Sequence, residues 1–347
     1  MLTDAKLLLY VLCPKVGWLT ERLSQEGISY RVLDAGFQWH QYFPSVFRLF
    51  RLLWSFPDDE VVILHLHGRF PLLVSLLPVM FTCNHRFVAT VHQFAVVGSP
   101  GIIGWKARLE TILLRRMSRV WCVSQALKDE VVTRIGSHRE SLVEAIPNWI
   151  ENSSCRMNHD CIALESKDQA VRLCAVGRLS YEKGFDILVE ALGSMVAAGW
   201  NIVCDIYGTG VEERNLEALI HRRGLEGRVF FRGISYPIRK ILGNYQAVVI
   251  PSRSESFGIV ALEAFDAGIP VVASRLPGLS EIVIHEETGL MFEAENFHAL
   301  QEALERLLGS KELTERLVFN AADSLKSYSR TMELELIVRR FYELAIR

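Results

Sequence analysis

Short apolar or β-branched runs alternate with amphipathic stretches along the chain. In the first half, residues 6–12, 30–33, 61–67, 87–91, 119–123 and 143–146 read as strands. Residues 19–25, 43–54 and 106–117 lie between them with apolar positions at helical spacing. Residues 151–169 then turn polar and aperiodic, and read as a linker. The rhythm restarts with strand patterns at 171–176, 201–207, 229–232, 247–251, 270–273 and 289–292. Alternating strand and helix predicts a parallel sheet covered by helices. Its recurrence predicts two Rossmann-like, doubly wound α/β domains, at residues 1–150 and 171–327, joined by a linker over 151–170 and facing each other across a cleft. In such sheets ligands bind beyond the carboxyl ends of the strands, so the loops after those strands are where chemistry is sought.

Composition narrows the partners. A length of 347 residues suits two domains. The formal charge of −2 argues against wholesale nucleic-acid binding, but it conceals an asymmetry. Residues 1–150 hold 16 basic and 12 acidic residues, or +4, and residues 151–347 hold 22 and 28, or −6. Seven scattered cysteines with no Cys-x-x-Cys pair suit a reducing compartment, hence a cytoplasmic protein. The apolar run before Cys13-Pro14 lacks a basic flank and a small-residue cleavage site, so a strand is expected there rather than a leader. Residues 70–83 contain Pro71 and Pro78 and fall short of the roughly 20 needed to span a bilayer.

Nucleotide motifs come next. No Walker A loop is present, and Tyr207-Gly208-Thr209-Gly210 lacks the third glycine of the dinucleotide fingerprint. The eleven aspartates include no Asp-x-Asp pair. A sugar diphosphate would therefore be neutralised by fixed cations and backbone amides rather than by a metal, and no metal ligand set is assigned. Gly177-Arg178-Leu179-Ser180-Tyr181-Glu182-Lys183-Gly184 puts Arg178 and Lys183 between a strand end and a helix start. Alone, they read equally as solvated loop cations. The second segment, residues 252–267, brings a strand to a helix start near Gly258, where free N–H groups suit an anion. Glu255 precedes that helix. Glu263 lies in its second turn, on the face of Ile259. One carboxylate can reach a reacting group while the other accepts hydrogen bonds from a ribose diol.

Glu255-SFGIVAL-Glu263 follows GRLSYEKG and precedes Gly278-Leu-Ser-Glu-Ile-Val283 and Glu287-Thr-Gly-Leu290. In order and spacing these motifs resemble those of the GT-B glycosyltransferases of family 4, over nearly all of residues 171–308. The first half resembles that family more loosely, through Ile63-Leu-His-Leu-His-Gly68, Thr90-Val-His92, Cys122-Val-Ser124 and Ala145-Ile-Pro-Asn148. The resemblance implies a GT-B fold and a retaining transfer from a UDP- or GDP-linked sugar, with no cofactor. It implies that Arg178 and Lys183 bind the diphosphate and that Glu255 and the backbone of Phe257, Gly258, Ile259 and Val260 meet sugar and phosphate. Glu263 would bind the ribose, and His92 would lie near the transferred sugar. Gly17 is the one equivalent of the family's glycine pair after the first strand, and Trp149 replaces a usual glycine. The amphipathic tail, residues 328–347, would cross back to complete the first domain.

His65 and His67 share a strand face, but no third ligand is spaced to make them a metal site. Residues 43–54 interleave Arg48 and Arg51 with Phe47, Phe50 and Trp54, and a second basic stretch carries Lys106, Arg108, Arg115, Arg116 and Arg119. Either fits a core-packing helix with a cationic edge or a helix on an anionic membrane. The +4 first half tips the expectation to a lipid-linked saccharide or glycolipid acceptor of bacterial surface polysaccharide synthesis, met peripherally at the inner face of the membrane. A GT-B sugar-nucleotide epimerase and a non-catalytic nucleotide-sugar-binding protein are the alternatives, with a nicotinamide-dependent dehydrogenase a distant third.

Overall fold

The computed structural model describes residues 11–13, 24–25, 30–32, 39–56, 62–81, 85–93, 102–150, 170–328 and 340. Gly17, the linker, and the terminal segment apart from Arg340 lie outside them. The chain divides into two compact units. One comprises Met1–Cys122, Glu130–Glu144 and Arg340–Arg347; the other comprises Val123–Asp129 and Ala145–Arg339.

In the first unit, β1 (Val11–Cys13) and β2 (Tyr30–Val32) pair in parallel. A four-stranded sheet runs in the order β3 (Ile63–His67), β4 (Arg86–Val91), β5 (Arg119–Cys122), β6 (Val143–Ala145). Phe87, Val88, Ala89 and Val91 of β4 are all buried, as a central strand covered on both faces requires. Its described helices are α1 (Trp39–Trp54), α2 (Arg69–Val74), α3 (Leu76–Phe81) and α4 (Ile102–Leu114); α5 (Gln125–Ile135) begins in the other unit, to which residues up to Asp129 belong, and ends in this one. Helix α1 starts four residues before the predicted stretch, with Pro44 inside it. It docks through Val46, Leu49 and Leu53, a stripe at helical spacing. The guanidinium of Arg340 donates to Glu144 at 2.9 Å within this unit.

The second unit is built on β7 (Val171–Val176), β8 (Ile202–Tyr207), β9 (Val229–Gly233), β10 (Ala247–Ile250), β11 (Val271–Ser274) and β12 (Leu290–Phe292). Their order is β12-β11-β10-β7-β8-β9, and every neighbouring pair is parallel. Strands are added one way from β7 and the other way from β10. The order therefore reverses between β7 and β10, where an open α/β sheet leaves a crevice at the carboxyl ends. Helices α6 (Phe185–Ala197), α7 (Glu213–Arg222), α8 (Arg239–Leu242), α9 (Ile259–Asp266), α10 (Pro277–Ser280), α11 (Phe297–Leu308) and α12 (Lys311–Ser324) cover it. Strands β10 and β11 are buried throughout, and Leu188, Leu192 and Met195 of α6 close the core over them. Asn296 and Ser310 cap α11 and α12 by accepting from Ala299 N and Leu313 N. All twelve strand patterns correspond to described strands, with ends shifted by at most two residues where both ends are described. No described helix is long and apolar enough to cross a membrane.

Candidate active site

The loop after β7 holds its shape because glycines let backbones meet. A Cβ on Gly208 would sit 1.8 Å from the Gly177 carbonyl oxygen, and one on Gly210 would sit 2.1 Å from that of Leu179. Gly177 N–H donates to Tyr207 O at 2.9 Å and Leu179 N–H to Thr209 O at 3.0 Å. The Gly-x-Gly that hinted at a dinucleotide site is thus occupied in docking one loop on another. Gly184, with φ 63°, would place a Cβ 2.0 Å from the Pro251 carbonyl oxygen. That close approach draws the chain leaving β10 against the start of α6.

Arg253 then ties the two loops together. Its guanidinium donates to both carboxylate oxygens of Asp186 at 2.8 and 2.6 Å and to Tyr181 O at 2.9 Å. It also stacks 4.1 Å from the Tyr181 ring centroid, and its backbone N–H donates to Glu182 O at 2.9 Å. Despite the opposing effect of burial, this pairing holds the Asp186 carboxyl below its ordinary range. The outcome lies two residues on. Lys183 Nζ and Glu255 Oε2 meet at 2.5 Å, across 72 positions of sequence, with both side chains mostly buried. Arg178 stands apart, largely exposed and paired with Glu182 at 3.1 Å.

Gly258 caps α9 in the left-handed region, at φ 100° and ψ 52°, with no side-chain cap over the helix start. Phe257 is buried against the Tyr328 ring, 6.0 Å between centroids, so only its backbone is on offer. Ile259 is exposed and Val260 half-buried. Gly278 of α10 packs onto Ser256, where a Cβ would fall 2.5 Å from the carbonyl oxygen. The same motif's Glu281 accepts from the first N–H groups of α5, Gln125 at 2.8 Å and Ala126 at 2.7 Å. Glu263 is half-buried. Burial raises its carboxyl to about 7, Asp266 adds to the rise and Arg239 opposes it.

In the first unit, β3 and β4 bring three histidines into a row. His65 and His67 ring centroids are 4.0 Å apart, and His67 and His92 are 5.8 Å apart. His65 Nε2 bonds Thr90 Oγ1 at 2.6 Å, and its ring meets Trp121 edge-on. Burial first, then the neighbouring imidazoles, lowers His65 to about 3 and His67 to about 4; burial lowers His92. All three are neutral near pH 7. Sequence spacing could not supply His92 as a third ring, since the register of β3 on β4 does so. Among the described residues, no group of three His, Cys, Asp or Glu is arranged to hold a metal. A small cavity beside His92 is lined also by Thr90, Gln93 and Glu110. Glu110, a buried carboxylate on α4, and Arg253 are the residues that sequence reasoning missed. The only available signal for Glu110 was a charge placed on the apolar side of an amphipathic stretch.

Comparison with known proteins bears on both units. The model of Glycosyltransferase Family 4 matches residues 4–153, and that of glycosyl transferases group 1 matches residues 162–324. An uncharacterized glycosyltransferase of Methanocaldococcus jannaschii is 29% identical over 288 residues, 78% of this chain and 72% of its own length. The lipopolysaccharide core biosynthesis glycosyltransferase LpsD of Rhizobium meliloti is 32% identical over 164 residues, 47% of each chain. The crystal structure of Anabaena HepE in complex with UDP and glucose superposes with a TM-score of 0.80. It has 20% identity and covers 96% of this chain and 91% of that one.

Proposed function

The chain is a glycosyltransferase of the GT-B type, and we propose that it moves a hexosyl unit from a nucleoside diphosphate sugar to an acceptor hydroxyl with retention of configuration and without a metal. The observation that carries this reading is the Lys183–Glu255 pair at 2.5 Å, beside the uncapped start of α9 at the sheet's switch point. When the glycosidic bond breaks, one further negative charge develops on the already anionic departing diphosphate and positive charge grows at the anomeric carbon. Lys183, Arg178 and the N–H groups of residues 257–260 are suited to the first, and the Glu255 carboxylate to the second. In the family's front-face mechanism, the acceptor oxygen bonds to the anomeric carbon as the phosphate oxygen leaves, and that oxygen takes the acceptor's proton. No covalent sugar–enzyme intermediate is formed, and Glu255 acts as an electrostatic partner and sugar ligand.

Glu263 is suited to accept hydrogen bonds from the ribose diol. His92, neutral at working pH, serves as a hydrogen-bonding rather than a charged group. Gly17 is retained as the first unit's phosphate contact. HepE's complex with UDP and glucose supports a UDP-linked hexose over a GDP-linked one. The named role of LpsD supports a lipid-linked saccharide or glycolipid acceptor in bacterial surface polysaccharide synthesis, reached from the cytoplasmic side.

Substituting alanine for Glu255, Arg178 or Lys183 tests the reading. Each variant should lose transfer by at least about 100-fold, the size of one lost charge-stabilising group, while circular dichroism and melting stay as in the parent. Activity near the parent level in all three would remove the assignment.

A further inference from the structure

On one face of the first unit's sheet, rings from three neighbouring strands form a column. His65 and His67 are two positions apart on β3, so their side chains share that face. Register sets His67 beside Thr90 on β4 and Thr90 beside Trp121 on β5. His92, two positions past Thr90, falls on the same face just beyond the carboxyl end of β4. Thr90 is small, and the His65 ring leans across it, bonding its hydroxyl at 2.6 Å and meeting the buried Trp121 ring edge-on at 4.8 Å. His67 lies on His65 at 4.0 Å, and His92 stacks on His67 at 5.8 Å with 30° between the planes. The column is thus rooted in the core at Trp121 and ends in the exposed side chains of His67 and His92. Neutral imidazoles can stack in this way without charge repulsion. Among the described residues, none hydrogen-bonds to the ring of His67 or His92. An exposed ring without such a bond changes rotamer unless a neighbouring surface stops it, and for His92 that surface is the face of His67.

We infer that His67 is a positioning residue for His92: propped on His65 and Trp121, its ring holds the His92 imidazole in the orientation that it uses on the transferred sugar. The inference rests on the proposed function for what His92 does, though not for how it is held. Two measurements on the full chain test it. In the first, the chain is isotope-labelled at histidine, and the His92 ring signals in the magnetic resonance spectrum are identified by their loss in His92→Gln. They should be narrow in the wild type, shifted and broadened in His67→Ala, and narrow again in His67→Phe, which keeps a flat ring. Unchanged His92 signals in His67→Ala would overturn the proposal, whatever the activity. In the second, release of UDP from UDP-glucose is followed with water in the acceptor's place. His67→Ala should lower kcat about 10- to 100-fold, the scale of a misplacement of about 1 Å, while the KM for UDP-glucose and the melting temperature stay near the parent's. His67→Phe should recover most of the loss. His67→Ala/His92→Ala should be no slower than His92→Ala alone, since both substitutions act through one ring. Additive losses, or recovery by His67→Asn in place of His67→Phe, would mean that His67 meets the substrate itself, and would refute the positioning role. No turnover of UDP-glucose by the wild type would instead remove that donor from the proposed function and leave the ring signals to decide how His92 is held.

Discussion

At the scale of single residues, the chemistry turns on charges held ready for a ligand. Lys183 and Glu255 neutralise each other across the two loops, and under the proposed function a diphosphate would compete with Glu255 for the Lys183 ammonium. Glu263 behaves differently. With its carboxyl raised to about 7, it is increasingly protonated below that pH. A ribose diol donates hydrogen bonds best to the ionised form, so nucleotide affinity should fall as pH drops from 8 to 6. Titration calorimetry with UDP should show this fall in the wild type. Glu263→Gln should bind more weakly at pH 8 and lose the part of the pH dependence that UDP's own phosphate does not account for. His65 and His67, lowered to about 3 and about 4, titrate below this window and should add nothing to it. The Glu-x7-Glu spacing made both carboxylates legible in the sequence. Their unequal environments were not, because burial of Glu263 depends on what packs over α9.

Loops and strands explain why the site holds together. Arg253 and Asp186 lie 67 positions apart and join the segments that follow β10 and β7 through paired hydrogen bonds. Arg253→Ala and Asp186→Ala should each raise the donor KM at least tenfold. The double variant should be no worse than either single one, since both remove one clamp. Additive losses would mean that the two act separately. Gly208→Ala should lower Tm, because the new methyl group would strike the Gly177 carbonyl in a left-handed backbone. A cost of about 2 kcal/mol corresponds to roughly 4–8 °C, and an unchanged Tm would refute the packing role. This glycine was visible in the sequence but misleading there, since Gly-x-Gly can serve a ligand or a neighbouring loop.

For the whole molecule, the charge asymmetry now has residues behind it. The −6 of residues 151–347 includes Glu182 and Glu255, which pair with Arg178 and Lys183, the cations of the proposed donor site. The +4 of residues 1–150 includes Arg48 and Arg51 on α1. If the donor is UDP-linked, thermal denaturation should show selective stabilisation by UDP, about 2.7 kcal/mol at 100 times its dissociation constant. An equal or larger shift with GDP would reverse the choice of base.

The sequence by itself determined the α/β alternation, its strands and the motifs by which the chain resembles its family. Burial periodicity is local, and motif spacing survives without knowledge of packing. Only the tertiary structure decided which strands are neighbours, and so placed the sheet's reversal between β7 and β10. From that follow the meeting of Lys183 with Glu255, the Arg253 clamp and, by strand register in the other unit, the histidine row. Periodicity also marked α1 as amphipathic without distinguishing the buried Val46, Leu49 and Leu53 from the exposed Phe43, Phe47 and Trp54. Which of these face the core is set by what the rest of the unit presents to them, and a local window carries no record of that.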